Sequence, residues 1–337
     1  MATQTATVAN SKIQGHLRKM RMGEFDRFTD LIEASFAEDQ AREGRSFRDE
    51  IHDLNKLLPL FRILFAVAPR MENYFYTLVW DADERFAAAV TISRQGSDAR
   101  RWYIANVATH PDYRGRGLAR TLVNAALDRI RTQGGRYALL HVRADNEPAY
   151  RLYRSLGFLH LETSTALKGD ARPIASPALP ESYALRPIAM ADWHLRFTVA
   201  QQLASPETRS VCPPTEKQYQ ASWIGRSLQA SINRAQHAKM QAWIVETADQ
   251  PIGLVTCSAR SSGSSPHRAE IEIGPDHLIA APAVLAQVIN YCIEQRSGAV
   301  HPMLIVLAGQ PQSLIAYLRD NGFTPIETVH ELGMNVR

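Results

Sequence analysis

The sequence predicts a mixed α/β fold written twice along one chain. Strand-like and helix-like stretches alternate from end to end of the 337 residues. A run at 170–182, DARPIASPALPES, holds three prolines and two serines without apolar periodicity, and it divides the chain nearly in half. Short motifs on its two sides match at nearly one offset. Leu17-Arg18-Lys19-Met20-Arg21-Met22 with Phe25 is answered, 168 residues on, by Leu185-Arg186-Pro187-Ile188-Ala189-Met190 with Trp193. Leu156-Gly157-Phe158 is answered by Asn321-Gly322-Phe323, 165 residues on. The expected organisation is a domain at 1–169, a linker at 170–182 and a second domain at 183–337.

The elements follow from the period of the apolar residues. In the first half a strand is expected at 16–22 and helices at 24–37 and 46–58. Strands follow at 75–82, 85–94 and 101–109. A helix at 117–133 has an apolar stripe of Ala119, Leu122, Val123, Ala126, Leu127 and Ile130, and Gly134-Gly135 ends it. A strand at 137–143, a helix at 147–156 and a strand at 160–167 complete this half. The second half gives strands at 183–188, 241–248, 251–258 and 268–274, helices at 281–296 and 311–321, and strands at 302–307 and 326–335. Residues 41–74 form a long insert with Phe47, Leu54, Leu57, Leu58, Phe61 and Phe65 at helical spacing. These side chains either pack on the domain or line a cleft.

Composition narrows the class. With 45% apolar and 21% charged residues, and only 18 Gly and 18 Pro, the chain is globular and neither disordered nor collagenous. The most apolar stretch is read as Leu57–Pro69, too short for a bilayer, so no membrane partner is expected. The N-terminus lacks an apolar signal core. Three cysteines, Cys212, Cys257 and Cys292, fit free thiols in a reducing compartment, and the expected localisation is cytoplasmic. The eleven histidines form no HxxxH or Cys/His cluster, so no metal is expected. The net charge of +4 is unevenly spread: residues 1–169 hold 25 basic and 20 acidic side chains, residues 170–337 hold 13 and 14. So small an excess over the whole chain reads as surface solubility, and its place in the half with the glycine loop suits a phosphate-bearing ligand, so no nucleic-acid partner is expected.

One segment concentrates the chemistry. A buried strand over 102–109 runs into His110-Pro111-Asp112-Tyr113-Arg114-Gly115-Arg116-Gly117-Leu118-Ala119-Arg120 and then a helix. The first N–H groups of a helix lack intrahelical partners, and the macrodipole favours an anion there. Gly115 and Gly117 allow close approach to the backbone, and Arg114, Arg116 and Arg120 add positive charge, so a diphosphate suits the loop. An ordinary strand-to-helix turn with solvated arginines fits the same residues. A dinucleotide fingerprint lacks its third small residue here, and no GK[ST] follows for a Walker loop.

The run Val107 to Ala119 resembles the acetyl-CoA motif of GNAT superfamily N-acetyltransferases, Q/R-x-x-G-x-G/A, met by Arg114, Gly117 and Ala119. Residues 146–158, NEPAYRLYRSLGF, resemble that family's second signature, N-x-x-A-x-x-L-Y-x-x-x-G-F. The resemblance covers 16–168 well and the second half in outline. It implies two tandem GNAT-like domains and acetyl-CoA as co-substrate. Backbone groups of Val107, Ala108 and Thr109 would pair with the pantetheine arm. The loop Gly115, Arg116, Gly117, Leu118, Ala119 and Arg120 would hold the pyrophosphate, and Asn146 would also contact the cofactor. Tyr153 would be the general acid toward the departing thiolate. The base is open between His141, where several family members place a glutamate, and a water chain. An imidazole of ordinary pKa, about 6.5, suits the task. Asn106 in the neighbouring strand is read as a satisfied buried amide or an acceptor-orienting group.

The second half keeps the outline and loses these residues. Its loop, Gly274-Pro275-Asp276-His277-Leu278-Ile279-Ala280-Ala281-Pro282, has no arginine. Counting back from Gly322-Phe323 places Leu318 at the tyrosine position and Pro311 at the asparagine position. The resulting expectation is acetyl transfer to a primary amine, the acceptor being a small molecule, with a degenerate second domain and a monomer or homodimer. An acyl-CoA-binding sensor and a protein lysine or N-terminal acetyltransferase are the rivals.

Overall fold

The structure is a computed structural model that describes residues 14–43, 76–82, 84–95, 98–174, 177–220, 233, 237–248, 250–263, 265–296, 298–309 and 311–336. The expected helix at 46–58 and the insert side chains Phe47, Leu54, Leu57, Leu58, Phe61 and Phe65 lie outside them. The chain divides into two compact units, Met1–His141 with Met334–Arg337, and Val142–Gly333.

The first unit holds β1 (His16–Lys19), α1 (Phe25–Glu43), β2 (Tyr76–Asp81), β3 (Phe86–Arg94), β4 (Arg101–Thr109), α2 (Leu118–Thr132) and most of β5 (Tyr137–Arg143). Its strands lie in the order β1-β2-β3-β4-β5. The first four are antiparallel neighbours and β5 is parallel to β4. Strand β3 is apolar almost throughout because both its faces are covered: every residue from Phe86 to Ile92 is buried. On one face Phe28, Leu31 and Ile32 of α1 pack on Val79, Phe86, Ala89 and Ala108. Helix α2 buries Leu118, Leu122, Val123, Ala126, Leu127 and Ile130. The stripe therefore begins at Leu118, and Ala119, expected on it, is only half-buried. Four charges tie β1, β2 and the start of α1 together. Arg18 pairs with Asp81 and with Glu24, and Arg27 reaches Asp81 at 2.8 Å. Both guanidinium groups lie over the Phe86 ring. The last residues of the chain belong to this unit, where the Val336 N–H donates to the Arg136 carbonyl at 2.9 Å.

The second unit contains α3 (Glu147–Ser155), β6 (Leu159–Ala171), β7 (Tyr183–Ile188), α4 (Trp193–Leu203), α5 (Pro206–Val211), α6 (Glu216–Tyr219), β8 (Ala238–Thr247), β9 (Pro251–Arg260), β10 (His267–Ile273), α7 (Ala281–Gln295), β11 (His301–Ala308), α8 (Gln312–Asp320) and nearly all of β12 (Thr324–Asn335). The strand order is β12-β6-β11-β10-β9-β8-β7. The element order repeats that of the N-terminal half, helix for helix around the central strands. In space, however, β6, the last strand of the first repeat, lies antiparallel between β11 and β12 of the second. The contact boundary thus falls at 141/142, whereas the sequence reading expects the division at 170–182. Pairing of Asp170 with Pro302 and of Ala171 with His301 carries β6 two residues into the run expected as linker.

One other expectation changes. The helices described between β7 and β8, α4 to α6, are absent from the sequence reading. In α4 the apolar residues Trp193, Leu195, Phe197 and Val199 alternate, which is the period of a strand. Leu57–Pro69 lies outside the described residues, among which one helical stretch, Pro275–Gln295, is long and apolar enough to cross a membrane by length and composition alone. Its helix, α7, packs Val284, Leu285, Val288, Ile289 and Cys292 into the core of the second unit, against β9, β10 and β11 residues such as Val255, Ile271 and Ile305.

Candidate active site

In the first unit the site residues gather where β4 stops being a regular strand. Its register against β3 shifts between Ala105, opposite Thr91, and Ala108, opposite Ala89. Asn106 occupies this bulge with φ +50°, a conformation asparagine tolerates better than most residues. It is exposed, so it is not the satisfied buried amide the sequence allowed. Pairing with β5 ends nearby. It runs from Arg101 opposite Tyr137 to Ile104 opposite Leu140 and no further. Residues 105–109 thus run without β5 beside them, and Val107 and Thr109 are half-buried there while Ala108 packs under α1.

The loop after β4 is shaped by local chemistry. The His110 Nδ1 accepts from the Asp112 N–H at 3.3 Å, closing a 3-10 turn at Pro111–Tyr113. Gly115 and Gly117 have φ of +72° and +80°, which a side chain would strain. A Cβ on Gly115 would meet nothing within 4 Å, so the space beside that backbone is open. Gly117 is the N-cap of α2, which opens without any side-chain cap or first-turn acid to compete with an anion. The arginines divide. Arg114 is exposed and reaches to α1, its Nη2 donating to the Ser35 carbonyl at 2.8 Å and its Nε to the Thr109 carbonyl at 3.4 Å. Arg116 donates to the Asp112 carbonyl at 2.9 Å and lies over the Tyr113 ring. Arg120 is exposed on the first turn of α2. His141, on β5, is exposed and makes an edge-on ring contact with Tyr103 of β4 at 5.3 Å.

In the second unit Asn146 caps α3, its Oδ1 accepting from the Ala149 N–H at 3.1 Å. Tyr153, on the same helix, is 5% exposed and packs edge-on against Phe158. The Gly-Phe pair has a structural cause. Gly157 adopts φ +95° and the Phe158 N–H donates back to the Tyr153 carbonyl at 3.1 Å, a left-handed helix stop with a buried phenylalanine behind it. The second repeat builds the same stop: Gly322 has φ +85°, and the Phe323 N–H donates to the Leu318 carbonyl at 2.9 Å. That bond fixes Leu318, and not Tyr317, as the counterpart of Tyr153. The asparagine cap is replaced by Pro311, which offers no side-chain acceptor.

The β10 region lacks the irregularities of β4. Strand β10 pairs with β9 over six consecutive residues without a shift, and with β11 over five. It carries no bulge, it parts from β11 only after Ile271, and α7 begins after Ala280 with no side-chain cap and a proline in its first turn. Two carboxyl groups of this unit were not singled out in the sequence. Burial, helped by neighbouring glutamates, raises Glu162 and Glu272 each to about 7. Alternation along β6 and β10 offers no signal that these two acids face inward.

Residues 33–158 match the Acetyltransferase (GNAT) family. The chain is 36% identical over 91 residues to the mycothiol acetyltransferase of Corynebacterium aurimucosum, covering 27% of this chain and 25% of that protein. It is 37% identical over 84 residues to the ribosomal protein bS18-alanine N-acetyltransferase of Salmonella typhimurium, covering 25% of this chain and 55% of that one. The chain thus spans between a quarter and just over half of these relatives' lengths. A solved GCN5-related N-acetyltransferase from Sphaerobacter thermophilus covers 95% of both chains at TM-score 0.53 and 15% identity. The fold is that of this GCN5-related N-acetyltransferase structure, and the match to the acetyltransferase family lies in residues 33–158.

Proposed function

We propose that this chain is an acetyl-CoA-dependent N-acetyltransferase whose chemistry resides in the N-terminal repeat and whose acceptor is the primary amine of a small molecule. The observation that carries the reading is the interruption of β4. A bulge at Asn106, the end of β5 pairing after Ile104, and a glycine-capped helix opening at Gly117 follow one another within a dozen residues. Neither the bulge nor the glycine cap recurs at β10, whose pairing with β11 lasts until two residues before the strand ends. The unpaired stretch of β4 offers backbone donors and acceptors to an amide-bearing arm, and the open space at Gly115 suits a diphosphate.

Acetyl-CoA, when bound, supplies the acetyl group as a thioester. Val107, Ala108 and Thr109 would hold its pantetheine arm through the backbone. Gly115, Arg116, Gly117, Leu118, Ala119 and Arg120 would hold its pyrophosphate, with Arg114 bracing that loop on α1. His141, exposed and unencumbered by a side-chain hydrogen bond among the described residues, accepts the proton an ammonium must lose before it attacks. Tyr153 holds the proton for the sulfur that leaves as the new C–N bond forms. Transfer is direct in a ternary complex, since Cys212, Cys257 and Cys292 are all buried in the second unit and away from these residues in sequence. The C-terminal repeat is a non-catalytic partner domain in a cytoplasmic monomer or homodimer.

The experiment is a thiol-release screen of acetyl-CoA against amines that include aminoglycosides, polyamines and amino acids, with peptides bearing free N-termini run beside them. Turnover with a small amine supports the proposal. Turnover confined to peptides would move the acceptor to protein N-termini, the chemistry in the name of the Salmonella relative. Tight acetyl-CoA binding without turnover on any amine would make the chain a sensor.

A further inference from the structure

Four side chains of the second unit form one hydrogen-bonded chain that the proposed reaction does not use. The Tyr150 hydroxyl lies 3.5 Å from His160 Nδ1, His160 Nε2 lies 2.9 Å from Thr163 Oγ1, and Thr163 Oγ1 lies 2.9 Å from His330 Nδ1. The two imidazole rings are 4.8 Å apart, and the Tyr150 ring stands edge-on to His330 at 5.3 Å. A register shift between Glu331 and Leu332 bulges β6 at this point, which turns His160 and Thr163, three residues apart, toward one another. Tyr150 belongs to α3, His160 and Thr163 to β6, and His330 to β12. The chain is therefore the polar seam between the helix and the strands beneath it.

Proton counting sets its behaviour. A threonine hydroxyl has one hydrogen, so it donates to one ring and accepts from the other. With both imidazoles neutral every bond is made. One added proton is also accommodated, since either ring can donate at both ends. A second is not: it leaves the Thr163 hydrogen without an acceptor and sets two cations 4.8 Å apart. The other charged groups acting on His160 are Arg154 of α3, which opposes its protonation, and Glu207 of α5, which favours it; burial and His330 oppose it most.

We propose that the Tyr150–His160–Thr163–His330 chain is a positioning device for α3: with the rings neutral or singly protonated the Thr163 bridge fixes His160 against Tyr150 of the helix that carries Tyr153, and entry of the second proton breaks that bridge and loosens the hold. This rests on the reading of Tyr153 as proton donor. His160, Thr163 and His330 are positioning residues, since they act through the helix.

The test is Thr163→Val, which keeps the side chain's shape and removes the bridge. Its kcat with the best amine of the screen should fall by about 10- to 100-fold, as a small displacement of a reacting group does, with KM for acetyl-CoA held within about twofold. The acid limb of the kcat profile should move, and Thr163→Ser should restore both. Imidazole NMR on the same proteins reads the clasp without turnover. In the wild type the two rings should titrate in linked steps at least about one unit apart, and in Thr163→Val independently. Wild-type kcat and an unmoved acid limb in a folded Thr163→Val overturn the proposal, as do two independent titrations in the wild type. If Thr163→Val does not fold, His330→Gln takes its place with the same readouts. If no amine is acetylated at all, the reading of Tyr153 fails, while the NMR result still decides the clasp.

Discussion

Replacing Glu272 with Gln should make the second unit more stable at alkaline pH and almost unchanged at acid pH. Glu272 lies on β10, and burial, followed by repulsion from Glu331, raises its carboxyl to about 7 from an ordinary 4.5. A group whose pKa is raised on folding binds its proton more tightly in the folded state. Its contribution is therefore fully present below about pH 4.5 and is lost as the pH rises through 7. Integrated to pH 8, a difference of that size corresponds to about 3 kcal/mol, of which under about 1 kcal/mol has been lost by pH 5. The carboxyl keeps some exposure, which screens its charge and brings the expected pH-dependent loss to about 1–2 kcal/mol. For a unit of this size that is on the order of 2–8 °C in Tm. Thermal melts at pH 5 and 8 measure it, with hydrogen exchange on β10 and β6 peptides to assign the change to this unit. The wild type should lose stability across that interval and Glu272→Gln should lose markedly less. Parallel pH dependences for the two proteins would refute the reasoning, because the buried carboxyl would then carry no linked proton.

Tyr153→Phe removes the proposed proton donor and keeps the packing on Phe158; kcat should fall by about 10²–10⁴-fold with the fold intact, read by thiol release and circular dichroism. Gly117→Val places a branched side chain at φ +80° on the N-cap of α2 and should weaken acetyl-CoA binding at least tenfold by calorimetry, with a loss of about 1–2 kcal/mol in stability. Asp81→Asn leaves Arg18 and Arg27 without their shared carboxylate and should cost about 3–5 kcal/mol in the first unit. Because those arginines hold Asp81 and Glu24 below their usual carboxylate range, the wild-type first unit should lose this stabilisation as pH falls through that lowered range, and Asp81→Asn should lose less. Urea titrations at pH 3 and 7 test both statements.

Most of the fold was legible because its periods are clean. Strand β3 is a continuous apolar run, and α2 shows a 3.6-residue stripe with two glycines at its end. What escaped the sequence was tertiary. Helix α4 alternates like a strand because only Val199 and Ala200 of its residues are fully buried. The placement of β6 between β11 and β12 is a pairing between distant segments, and no local pattern records it. At the site, the glycine loop and Gly-Phe stop could be read as spacing. The bulge at Asn106 depends on its pairing with β3, the reach of Arg114 on a partner 79 residues away, and the threonine bridge between two histidines on one 167 residues away.

The two repeats separate what the signature needs for folding from what it needs for chemistry. Gly157-Phe158 and Gly322-Phe323 make the same left-handed stop and bury the same ring. That requirement is steric, and either helix would fray without it. The residue accepting the closing bond does so through its carbonyl, so the stop is indifferent to the side chain there. Tyr153 and Leu318 fill that position equally well as far as the helix is concerned, and both are buried. The same holds at the strand. Unshifted pairing of β10 with β9 is the lower-energy arrangement, because it satisfies more of the backbone and strains no residue. Strand β4 gives up that pairing and accepts a positive φ at Asn106. A fold maintained for stability alone would not keep such a departure in one repeat while the other relaxed to the regular form. The irregular strand, more than any single side chain, is what assigns the acyl-transfer chemistry to the N-terminal repeat in the reading proposed here.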